Sequence, residues 1–112
     1  MIEVVLKTRD KNLLGFEVSG HAQYDQSGKD IVCSAVSVLT INSINTLEEV
    51  LNLKNEIKYS EKENLITLDI NTKSLDELKL HDTQVVLRGF ELGITSILRE
   101  YQEFVELYYR EV

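Results

Sequence analysis

The segment GHAQYDQSGKDIVCSAVS, residues 20–37, holds the chain's single cysteine, Cys33, and one of its two histidines, His21. A thiol and an imidazole are the two groups that a cysteine nucleophile needs. The thiolate attacks an acyl carbon, and the imidazole takes the thiol proton and returns it to the leaving group. A polar loop ending at Gly28 separates the pair and is long enough to fold back on itself. The same residues also read plainly as an unrelated Cys and His, with Gly20 and Gly28 forming turns. Spacing alone leaves both readings open.

The elements around the pair set its chemistry. Beyond Asp30, apolar residues recur at Ile31, Ala35, Val38, Leu39, Ile41, Ile44, Leu47 and Leu51, which is near-helical spacing, and Asp30 is the expected N-cap. Cys33 is then the third helical residue. In that first turn, unpaired N–H groups and the helix dipole favour an anion, lower a thiol pKa and offer donors to a developing oxyanion. The Asp30 carboxylate opposes thiolate formation unless it caps the backbone or orients His21. Cys33, Ser37 and Thr40 share one face, read as a polar stripe, with Ile31, Ala35 and Leu39 toward the other side. Ser37 is placed either to hydrogen-bond within a site or to sit on a solvated face.

The rest of the chain supplies a scaffold. Residues 2–8 and 13–19 flank a turn at 9–12 and predict a hairpin; residues 56–60 and 65–70 flank 61–64 and predict a second. Ser74 and Glu77 match a capping box for a single turn over 74–79. A second helix is expected over about 82–101, with His81 flanking its start. Gly89 and Gly93 lie one turn apart on it, each costing about 1 kcal/mol relative to Ala, and imply close approach of another backbone, from the first helix or a partner subunit. The tail 104–112 alternates and reads as a last strand, with helix continuation as the rival. The fold class is α+β: an antiparallel sheet of four to five strands with two helices packed on one face, ββαββα with a possible C-terminal strand.

Composition narrows the function. The 112 residues predict one domain over 1–112, and 43% hydrophobic with 28% charged residues is ordinary for a globular protein. No apolar run is read as approaching the roughly 20 residues of a membrane span, and the acidic start MIEVVLKTRD predicts a cytoplasmic protein. One cysteine makes no internal disulfide, in keeping with a reducing compartment. A formal charge of −7 disfavours direct nucleic-acid binding and favours a basic partner. One Cys and two His, with Asp25 or Asp30 in reserve, show no zinc spacing, so neither metal nor cofactor is expected. A redox-sensing thiol would lack a resolving cysteine in the chain, and a non-catalytic binding module would need neither His21 nor Cys33 to react.

The order Gly-His-Ala, a short polar loop, then Gly-x-Asp-Ile-Val-Cys-x-Ala-Val-Ser resembles the signature of the ribosomal-processing cysteine protease family (Prp). Ser34 stands where family members often carry Ala. The resemblance implies a bacterial, homodimeric endopeptidase that removes a short N-terminal extension from the twenty-seventh protein of the large ribosomal subunit. That extension is apolar and phenylalanine-containing. By the same resemblance Cys33 is the nucleophile and His21 the general base. Asp30 and Ser37 support the site, and Gly20 and Gly28 let the intervening loop move when a peptide enters. A ribosome-assembly binding module without catalysis, or a redox-sensing thiol protein, is the alternative.

Overall fold

The computed structural model describes residues 1–20 and 29–112. Its first hairpin joins β1, Ile2–Arg9, to β2, Asn12–Ser19. Asp10 and Lys11 form the two-residue turn with φ of 51° and 72°, the doubly positive geometry that matches the twist of antiparallel strands. A second hairpin joins β3, Ile57–Lys62, to β4, Leu65–Ile70. Strand pairing continues to Lys62 and Leu65, so its turn is shorter than the four residues expected.

The last strand is β5, Val105–Glu111, and the five strands lie in the order β3-β4-β2-β1-β5. The sheet is mixed, because β5 pairs parallel with β1, Ile2 opposite Val105 and Thr8 opposite Glu111. The expectation of a purely antiparallel sheet is corrected here, and the physical reason is α2, Glu77–Glu100. A helix of that length runs about 36 Å. It returns the chain along the whole sheet, so the strand after it runs in the direction of β4, which is also that of β1.

Alternation along the strands turns Ile2, Val4, Leu6, Phe16, Val18, Ile66 and Leu68 to one face, where they are buried under the two helices. Phe16 stacks on Phe90 of α2 with ring centroids 4.3 Å apart. Gln84 of α2 both donates to and accepts from the Leu13 backbone at 2.7 Å, fastening the start of α2 to the start of β2.

Helix boundaries differ from the sequence expectation at both helices. The N-cap of α2 is Asp76, whose carboxylate accepts from the Lys79 N–H at 2.8 Å. The helix therefore starts before residue 82. His81 lies inside it, exposed and 3.4 Å from Asp82. Ser74 ends a short 3-10 turn, and its hydroxyl donates to Asn71. The first helix, α1, spans Lys29–Asn45 and runs on into a π-helical stretch, Thr46–Val50. Asp30 is thus within the first turn instead of capping it, and Cys33 is the fifth helical residue instead of the third.

By length and apolarity alone the helical run Asp30–Val50 suffices to cross a membrane, which corrects the reading that no such run exists. Its Ser, Thr and Asn residues interrupt the apolar pattern but add little polarity. Thr40, Ser43 and Thr46 each donate a hydroxyl to the carbonyl four residues back, at 2.7–2.8 Å. Val32, Val36, Ile44 and Leu47 of this run lie in the protein core.

Candidate active site

Among the described candidates, Gly20 lies at one end of the sheet, on the side where α1 starts. There β1 begins, β2 ends, the β3–β4 turn folds over and α1 starts. Gly20 closes β2. Its N–H donates to the Asn64 carbonyl at 3.2 Å, and its φ is 81°, in the left-handed region that favours glycine. The neighbouring backbone is locked as well: Ile2 N–H donates to Phe104 at 2.8 Å, and Phe104 N–H to Tyr101 at 2.9 Å. The residue before His21 is therefore held by main-chain contacts. His21, Gly28 and the loop between them lie outside the described residues.

Cys33 is 3% exposed and belongs to the core cluster with Val32 and Val36. The sequence reading of a polar stripe on its face is corrected: Cys33 and Thr40 are buried, Ser37 is half-buried, and the outward face carries Ile31, 62% exposed, Val38, 67%, and Ile41. The cause is that apolar residues and small polar ones are interspersed around α1, so periodicity cannot choose the side that meets the sheet. Cys33, four residues after Lys29, opens the second turn of α1. Asp30 is exposed, and water screens its carboxylate there.

The two helices run antiparallel. A Cβ on Gly93 would come within 2.7 Å of a Leu39 methyl carbon, so the absent side chain at 93 is where α1 packs closely on α2. Gly89 differs, with nothing within 4 Å of where its Cβ would be. Close approach within this chain thus explains one of the two glycines, and the contact at Gly93 is with a side chain instead of a backbone.

Charge is uneven along the sheet. Glu3, Asp30, Glu61, Glu63, Glu100, Glu103 and Glu106 lie at the Cys33 end, among cations that include Lys62 and Arg99. Glu3 and Glu106 are direct neighbours in register. Toward the other end, on the sheet face that carries no helix, Lys7 bridges Asp69 at 2.7 Å and Glu17 at 3.4 Å, while Arg110 grips both oxygens of Glu17 at 2.9 and 3.2 Å. The Arg110 hydrogen bonds, helped by Lys7, hold the Glu17 carboxyl below the usual carboxylate range against the opposing effect of burial. This network was not legible in the sequence, because its members are joined only by strand register. Among the described residues, no three His, Cys, Asp or Glu side chains are grouped to hold a metal ion.

Residues 1–106 match the family model described as "Cysteine protease Prp". The chain is 24% identical over 104 residues to the ribosomal processing cysteine protease Prp of Bacillus subtilis, covering 92% of each. It is 25% identical over 93 residues to the Staphylococcus aureus protein of that name, covering 83% of each. Among solved structures, SMU.848 from Streptococcus mutans superposes with a TM-score of 0.77 at 31% identity, over 100% of this chain and 96% of that one. The S. aureus ribosomal processing protease Prp, solved in complex with a substrate peptide, superposes with a TM-score of 0.80 at 21% identity, over 98% of this chain and 100% of that one, a likeness of fold.

Proposed function

The chain belongs to the cysteine protease Prp family, and we propose that it removes the short N-terminal extension of the twenty-seventh protein of the large ribosomal subunit, using Cys33 as nucleophile and His21 as general base. What supports this reading is that Cys33 lies near the N-terminal end of α1, while Gly20, the residue before His21, is held by main-chain contacts at the end of β2. In the reaction, His21 accepts the thiol proton as sulfur attacks the scissile carbonyl carbon. The carbonyl oxygen gains the negative charge and draws on N–H donors at the start of α1. Collapse of that intermediate expels the amine, which takes the proton from His21, and leaves a thioester. Water, giving its proton to His21, then hydrolyses the thioester and restores the thiol. Asp30 and Ser37 support the site, and the whole chain serves as one protease domain.

The acidic end around Cys33 supports a basic substrate, since a ribosomal protein precursor is drawn toward carboxylates. Its apolar, phenylalanine-containing extension is the segment cut. The reaction belongs to the cytoplasm. The working form is a homodimer, supported by the outward apolar residues Ile31, Val38, Val85 and Leu92 and by the open surface over Gly89.

The test is cleavage of a synthetic peptide spanning the extension and the first mature residues. Wild-type protein cuts it and Cys33→Ala does not. The burial of Cys33 favours one rival, a ribosome-assembly binding module in which the thiol only packs. That protein would bind the peptide and leave it intact, with wild type and Cys33→Ala indistinguishable.

A further inference from the structure

At the end of the sheet away from Cys33, a cleft of about 450 Å³ opens on the face that carries no helix. The two ends are distinct because β1 and β2 are antiparallel: Arg9 pairs with Asn12 while Glu3 pairs with Ser19, so six residue steps, about 20 Å, separate them. The volume is within the range of small-molecule sites. In a chain of net charge −7, this cleft gathers Lys7, Arg9, Lys73 and Arg110.

Two of these cations are committed to carboxylates, Arg9 is bonded through Nε alone, and Lys73 is open. Lys7, its side chain 9% exposed, forms part of the cleft wall with its ammonium on Asp69 and Glu17, and Arg110 is spent on Glu17. Gly15 lies opposite Lys7 in the β1–β2 register. A Cβ there would fall 1.9 Å from the Leu68 carbonyl oxygen. Arg9 donates its Nε to the Val112 carbonyl at 3.0 Å. Among the described residues, its terminal nitrogens and the Lys73 ammonium have no hydrogen bond or ion pair. A second recess of about 230 Å³ shares Arg9, Leu14 and Lys73 and adds Asp10, which pairs with neither cation.

The fold thus uses Asp69 and Glu17 to neutralise the inner cations and leaves the Lys73 ammonium and the terminal nitrogens of Arg9 open beside two further polar residues, Asn71 and Thr72. Leu14 and Ile70 supply an apolar surface between them. We propose that this cleft is a second binding site, for a small organic anion whose phosphate or carboxylate head is held by Arg9 and Lys73 and whose body rests on Leu14 and Ile70. Two charge-assisted contacts of this kind are together strong enough for specific recognition.

The experiment is an amide NMR titration of the intact protein with inorganic pyrophosphate and, separately, citrate, against sodium chloride at matched ionic strength. Saturable shifts confined to residues 7–9 and 71–73, absent with chloride, are expected with at least one probe. Tighter binding of pyrophosphate assigns a phosphate head, and tighter binding of citrate a carboxylate head. Arg9→Gln and Lys73→Gln, both at exposed side chains, each weaken binding about tenfold, as loss of one charge-assisted contact predicts, with the remaining spectrum unchanged. Non-saturable shifts, shifts spread over every surface cation, or binding that neither substitution weakens would overturn the proposal.

Discussion

A Cβ on Gly20 would lie 2.3 Å from the carbonyl oxygen of Met1. That contact, with the positive φ, ties the end of β2 to the start of β1 immediately before His21. Both neighbours are backbone and cannot step aside. Gly20→Ala is therefore expected to destabilise the fold by about 2 kcal/mol or more, read as a lower urea midpoint. Peptide cleavage should fall further than the folded fraction does, because the displaced residue adjoins the proposed base. Unchanged stability would mean that the sheet end yields, and that Gly20 does not fix the approach to His21.

Cys33 combines burial with a seat at a helix start, and the two act oppositely on reactivity. If the thiol is the proposed nucleophile, iodoacetamide labels it at neutral pH faster than an ordinary thiol of pKa about 8.5. His21→Ala should slow labelling, as mass spectrometry over time would record. A thiol inert in the folded protein and labelled only after denaturation would remove the dyad.

Gly89 and Gly93 separate intrachain from interchain packing. Gly93→Ala meets the flexible end of Leu39, so the cost is expected to be modest, within about 1–3 kcal/mol. Gly89→Ala enters open space, and the better helix former should raise monomer stability by about 1 kcal/mol. Gly89→Arg should convert dimers to folded monomers in sedimentation, with the circular dichroism spectrum retained. A dimer indifferent to Gly89→Arg would place the subunit contact elsewhere.

The Glu17–Arg110 pair predicts an acid-sensitive contribution. Glu17 has a folded pKa below its ordinary value of 4.5, held there first by the Arg110 hydrogen bonds. The unfolded chain thus binds this proton more readily, so the pair stabilises the fold above pH 4.5 and the contribution is lost as pH falls through the folded value. Arg110→Gln should lower stability most above pH 4.5, where the pair is formed, and progressively less as pH falls, so that the profile flattens across that acid window. Tyr109 behaves in the opposite sense: desolvation, then its hydrogen bond to Glu91, pushes it up to about 12. Its contribution is complete below pH 10 and is lost as pH rises toward 12, which ultraviolet titration of Glu91→Gln against wild type would resolve.

Local patterns in the chain determined much of this protein. The alternation in residues 2–8, 13–19 and 65–70 and the turn residues between the first two announce the hairpins, because pleat and turn geometry are set by near neighbours. The Gly-His-Ala and Asp-Ile-Val-Cys motifs carried the family, and the alternation of the tail carried β5. Tertiary structure decided what depends on distant partners. The length of α2 made β5 parallel to β1. Packing of α1, whose apolar residues are spread around the helix among Ser, Thr and Asn, buried Cys33 and exposed Ile31 and Val38, which no periodicity within that helix could select. Register alone joined Lys7, Glu17, Asp69 and Arg110, since residues on separate strands become neighbours only when hydrogen-bonded ladders bring them side by side.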